Sequence, residues 1–203
     1  MKIYFARHGE SQANVLHEIS NRGLKHGLTR KGREQAGALA VQLTAANITH
    51  IYASPVLRAI ETCVLVANQL EVEYTVVEAL REYDCGIAEG RADEEGWQLW
   101  KTLFDDWTLH KRWERRIAEG ECFHDIQARF VPFIETLIHQ YSATDANLLC
   151  LAHGGLYCMM LPLVLKNVDQ ASVLERGFAY AACIVAEARP EGLICTEWNG
   201  SKL

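Results

Sequence analysis

Short apolar runs recur along the chain at Lys2–Ala6, His50–Ala53, Tyr74–Val77, Leu148–Ala152 and Ala181–Ala186, with a weaker one at Leu193–Trp198. Runs this short between polar stretches are the pattern of buried strands. The intervening segments carry helical spacing. Ala36, Leu39, Ala40 and Leu43 share one face of a helix that Thr29 is placed to cap. Ser54-Pro55 predicts an N-cap followed by a first-turn proline, with the helix running through Ile60 and Val64 toward Leu70. Ile126, Phe130, Phe133, Ile134, Leu137 and Ile138 form the stripe of another helix starting near Phe123 and bent or interrupted at Pro132. Strands alternating with helices predict a three-layer α/β/α sandwich with a mainly parallel central sheet.

The stretch from about Arg91 to Glu121 breaks this rhythm, with Trp97, Trp100, Trp107 and Trp113 set among basic residues, and reads as a helical cap insert. No repeat, low-complexity tract or linker marks a boundary, so residues 1–203 are expected to form a single domain carrying that insert.

With 49% apolar residues the chain can bury a full core, and no apolar run approaches the roughly 20 residues a membrane-crossing helix needs. The N-terminal apolar run is too short for a secretory signal, and the seven cysteines form no C-x-x-C pair, so they are expected to be reduced in a cytoplasmic protein. The final Ser201-Lys202-Leu203 has the form of a peroxisomal address, a tripeptide match expected by chance. A net charge of −6 argues against general nucleic-acid binding but not against a small anion in a local basic pocket.

The chemistry concentrates at strand ends, where open α/β sheets bind their ligands. Arg7-His8-Gly9-Glu10 follows the first strand, with Ser11 and Asn14 just beyond, and Leu151-Ala152-His153-Gly154-Gly155 follows a later one and opens a helix. Between them lie Leu28-Thr29-Arg30-Lys31-Gly32-Arg33-Glu34-Gln35-Ala36, Ser54-Pro55-Val56-Leu57-Arg58-Ala59-Ile60-Glu61-Thr62 and the segment Leu80–Gly90. An arginine in the first turn of a helix can reach an anion held at that helix's N-terminus. The remaining histidines show no spacing that gathers metal ligands.

These segments resemble the signatures R-H-G-E-x-x-x-N, L-T-x-x-G-x-x-Q-A, S-P-x-x-R-A-x-x-T, L-x-E-x-x-x-G-x-x-E-G and a late H-G of the histidine phosphatase superfamily, the phosphoglycerate-mutase-like enzymes, and together they span most of the chain. Departures fall at Cys85 and Ala88, where many members carry aromatic residues, and at Cys122, where Gly-Glu-Ser is usual. The resemblance implies hydrolysis of a small phosphomonoester through a phosphohistidine on His8. Arg7, Arg58, Ser11, Asn14, His153 and the Gly154 amide would hold the phosphate and Glu82 would serve as proton donor, with no cofactor and no metal. Neutral His8 would be the nucleophile, its pKa lowered by the two arginines.

Two alternatives stand beside this reading. One is a phosphoglycerate-type mutase, although family mutases of the glycolytic kind are longer and show His-Gly-Asn where this chain has His153-Gly154-Gly155. The other is a non-catalytic binding protein on the same fold, against which the intact set of His8, Arg7, Arg58, Glu82 and His153 speaks. The expected partner is a small phosphorylated substrate, with neither nucleic acid nor membrane, and a homodimer stays open.

Overall fold

A computed structural model describes all of residues 1–203. In chain order it contains β1 (Lys2–Arg7), α1 (Gln12–Leu16), α2 (Arg30–Leu43), β2 (His50–Ala53), α3 (Leu57–Leu70), β3 (Tyr74–Val76), α4 (Glu94–Thr108), α5 (Phe123–Tyr141), β4 (Asn147–Ala152), α6 (Gly154–Val164), α7 (Gln170–Arg176), β5 (Cys183–Arg189), β6 (Gly192–Trp198) and β7 (Ser201–Lys202). One sheet holds all the strands in the order β3-β2-β4-β1-β5-β6-β7. The pairings among β3, β2, β4 and β1 are parallel, and those from β1 outward through β5, β6 and β7 are antiparallel. The parallel part is the core of the sheet.

Alternation along the strands feeds two apolar layers. Ile3 and Phe5 of β1 join Leu148 and Cys150 of β4 in a cluster with α5 and α6, while Ala6, Leu149 and Leu151 pack on the other face against Leu39 and Leu43 of α2 and Cys63 and Val66 of α3. The sandwich therefore has its three layers. No helix is long and apolar enough to cross a membrane.

Thr29 caps α2 as its position predicts, its hydroxyl accepting the Gly32 N–H at 2.9 Å. Ser54 does not cap α3. That helix starts at Leu57 with Val56 as its N-cap, and Ser54, fully buried, lies with its hydroxyl 2.7 Å from Nε2 of His153. Pro132 does not interrupt α5, which runs unbroken past it and gives up only the one hydrogen bond that a proline nitrogen cannot donate. The insert contains a single helix, α4, and then irregular chain up to α5. Buried Asp106 explains the change, because its carboxylate gathers Arg112 at 3.0 Å and Arg115 at 3.2 Å and folds the chain back on the helix end.

Candidate active site

β1 and β4 run side by side with Arg7 opposite Ala152, so the residues after them, His8 and His153, leave the sheet together. Their rings are 5.1 Å apart between centroids. Both are buried at the carboxyl ends of adjacent parallel strands, the position from which open α/β sheets present ligand-binding groups.

Nδ1 of His8 lies 2.6 Å from the Gly9 carbonyl oxygen, which can only accept. Nδ1 therefore carries the proton and Nε2 the lone pair. Onto that lone pair Nε–H of Arg58 donates at 3.0 Å. Burial first, then Arg58 and Arg7, hold the imidazole well below its ordinary pKa of 6.5.

Arg58, in the first turn of α3, donates through Nη1 to the Ser20 carbonyl at 2.5 Å and through Nη2 to Oδ1 of Asn21 at 3.4 Å. Burial lowers its pKa to about 10, which leaves it charged at neutral pH. Arg7 donates through Nη1 to the Phe178 carbonyl at 2.7 Å and lies 4.1 Å over the ring of Tyr180. That face contact is a cation–π interaction.

Glu82 is 8% exposed. Its Oε1 accepts the Tyr83 N–H at 3.1 Å and its Oε2 the Gly155 N–H at 3.0 Å, the latter in the first turn of α6. Burial raises its pKa, outweighing Arg58, the two amides and Arg7, which all favour the ionised form. A Cβ on Gly155 would come within 2.7 Å of the Tyr83 ring and 2.9 Å of Glu82, and one on Gly154 within 3.2 Å of Arg7. Glycine at both positions is what lets α6 begin this close to the carboxylate and the guanidinium.

In the whole molecule two buried side-chain nitrogens or oxygens lack a hydrogen-bond partner, Nε of Arg7 and Nδ1 of His153. Buried polar atoms left unpaired are costly, so a pair of them in one place marks where a ligand belongs. Ser54 accepts the Val56 N–H at 3.3 Å, and its hydroxyl lies 2.7 Å from Nε2 of His153, leaving Nδ1 of His153 as the nitrogen without a partner.

A cleft of about 170 Å³ opens over these groups. Of the residues singled out in the sequence, Arg7, His8, Asn14, Arg58, Glu82 and Gly154 line it. His153 stands behind His8 and is fully buried. Ser11 is not on the lining: its hydroxyl donates to Oδ1 of Asn14 at 2.8 Å and its N–H to the same oxygen at 3.0 Å, forming the cap of α1. Asn14 thus has its amide nitrogen left for a ligand. Ser20, Asn21, Phe178 and Tyr180 are contributors that the sequence does not single out, and Ser54 contributes at His153 where the sequence pointed to a helix cap. A larger cavity of about 670 Å³ lies between α4 and the 115–118 segment, away from both histidines.

This arrangement belongs to a known class. The chain matches the histidine phosphatase superfamily (branch 1) over residues 3–201 and is a member of it. With that family it is a phosphoric monoester hydrolase. It is 28% identical over 183 residues to a protein of Hydrogenobacter thermophilus provisionally named phosphoserine phosphatase 2, covering 86% of this chain and 88% of that one. It is 31% identical over 135 residues to an Enterobacter sp. (strain 638) protein provisionally named phosphoglycerate mutase GpmB, covering 64% of this chain and 59% of the relative. Among solved structures, Bacillus stearothermophilus YhfR superposes with a TM-score of 0.82 at 24% identity over 100% of this chain and 98% of that one.

Proposed function

We propose that this enzyme hydrolyses a small phosphomonoester through a phosphohistidine on Nε2 of His8, with arginines supplying the positive charge that a metal supplies elsewhere. The unpartnered nitrogens of Arg7 and His153 carry this reading, because a tetrahedral dianion placed between them, with the His153 proton on Nδ1, satisfies both. On binding, the Nε–H of Arg58 exchanges its bond to His8 for one to a phosphate oxygen and frees the lone pair for in-line attack. The bond from phosphorus to the ester oxygen breaks as the bond to Nε2 forms, and Glu82 gives its proton to the leaving alkoxide. Ionised Glu82 then takes a proton from the water that attacks phosphohistidine. Its burial suits it to both roles by keeping a protonated fraction at a pH where ordinary carboxyls have none.

The Trp-bearing insert at about 91–121 serves as the cap of this site, since Trp97 and Trp100 stand on its lining. The seven free cysteines fit a reducing cytoplasm.

The test is phosphate release from sugar phosphates, phosphoglycerates, nucleotides and p-nitrophenyl phosphate, without metal and with chelator, for the wild type and His8→Ala. Chelator-resistant release that disappears in the variant is expected. Release that does not depend on His8 overturns the proposal.

A further inference from the structure

The charges of the cleft are unevenly placed. Both cations of its lining, Arg7 and Arg58, stand at His8, where a phosphate would use them. The rest of the lining, which includes Glu18, Ile19, Tyr83, Trp97 and Trp100, holds no cation. Trp97 spends its indole N–H on the His17 carbonyl at 2.7 Å, so next to Glu18 it presents ring and not donor. Trp97 meets Trp100 edge to face with centroids 5.7 Å apart, and Trp100 stacks on Phe104 at 5.1 Å, which fixes the aromatic wall in place. Oε1 of Glu18 takes Lys25 at 2.5 Å and His26 at 3.0 Å, while its other oxygen has no hydrogen bond within the protein. Lys25 and His26 lie along a separate surface hollow with Val15 and Leu16 and do not line the cleft.

We infer that the leaving group is a small amino alcohol, selected by Glu18 and the Trp97–Trp100 wall, and that esters bearing a second anionic group are rejected. This rests on the phosphatase reading above. An ammonium group gains a carboxylate and aromatic faces, both of which attract cations. A carboxylate or second phosphate in the same place loses its water, meets no cation and faces a like charge.

Four esters separate the two charges: phosphoethanolamine has an amine alone, phosphoserine an amine and a carboxylate, 3-phosphoglycerate a carboxylate alone, and glycerol 3-phosphate neither. We expect kcat/KM to be highest for phosphoethanolamine, about tenfold or more above phosphoserine, with 3-phosphoglycerate lowest. Glu18→Gln should narrow the gap between phosphoethanolamine and glycerol 3-phosphate. Lys25→Ala, which removes the cation now sharing Glu18, should widen it. Phosphoserine or 3-phosphoglycerate turning over as well as phosphoethanolamine, or Glu18→Gln lowering all four substrates alike, overturns the inference. Release from p-nitrophenyl phosphate tells the two failures apart: its His8-dependent turnover with the wrong ranking sinks only the selectivity, and its absence sinks the reading beneath.

Discussion

Arg58 acts on His8 in two ways, as a hydrogen-bond donor 3.0 Å from the reactive nitrogen and as a positive charge that disfavours the imidazolium. Arg58→Met removes both. The pKa of His8 then rises toward 6.5, and because the proposed mechanism needs the neutral imidazole for attack, the acid limb of kcat/KM against pH is expected to move to higher pH. Loss of the guanidinium from the phosphoryl group also lowers kcat, by a factor on the order of 10³. A pH profile that drops in height with its acid limb unmoved shows that burial alone keeps His8 neutral. In the proposed mechanism Glu82 sets the opposite limb, since a proton donor is lost as pH rises through its raised pKa. Glu82→Gln should abolish that alkaline limb and slow alkyl esters by about 10² to 10⁴, with a far smaller effect on p-nitrophenyl phosphate, whose leaving group needs no proton. Equal slowing of both ester types counts against Glu82 as the donor.

The first turn of α2 lies directly against the turn that carries His8: a Cβ on Gly32 would run into the Glu10 carbonyl, and one on Gly9 into the carbonyl of Gly32. Gly32→Ala therefore cannot be absorbed by a side-chain shift, and should lower both the melting temperature and kcat. Thr29→Ala deletes only a cap bond of the same helix and should cost about 1 kcal/mol with kcat preserved. Circular dichroism melts paired with single-substrate kinetics separate the two effects, and normal kcat in Gly32→Ala would show that the His8 turn tolerates the displacement. This helix was legible in the sequence because its cap and its apolar face agree. The five-residue α1, α7 and the two-residue β7 were not, being too short for a period to show. The same limit applies at the site. Arg7, His8, Arg58 and Glu82 act through distinctive side chains at strand ends or helix starts, whereas Ser20 and Phe178 act through backbone carbonyls, which any residue type supplies. Ser54 was misread because a serine before proline is equally well placed to cap a helix, and only the fold shows that its hydroxyl meets His153.

Across the whole molecule, the site buries two imidazoles at the carboxyl ends of the central strands β1 and β4 together with one carboxyl, and this couples stability to pH. His8 and His153 are both held well below 6.5 when folded, with burial as the main cause. Below pH 6.5 the unfolded chain therefore binds protons that the native chain refuses, and stability falls with pH by about 1.4 kcal/mol per unit for each imidazole. Glu82 works the other way: its folded pKa lies above 4.5, so in the window between the two values the native state binds the extra proton and stability falls as pH rises. One carboxyl offsets only one of the two imidazoles, so the net change on acidification below 6.5 is a loss. Carboxylates whose pKa is lowered, such as Glu18 and Asp106, add their own loss only below their ordinary values of 4.5 and 3.8. Urea unfolding at pH 7.5, 6.5 and 5.5 should show stability level between the first two and falling toward the third. His8→Gln should reduce that fall, since one of the two protons refused by the native state is gone. A wild-type unfolding midpoint unchanged down to pH 5.5 would mean that both imidazoles protonate freely in the folded protein, and a His8 that does so is not held ready as the neutral nucleophile that phosphohistidine formation requires.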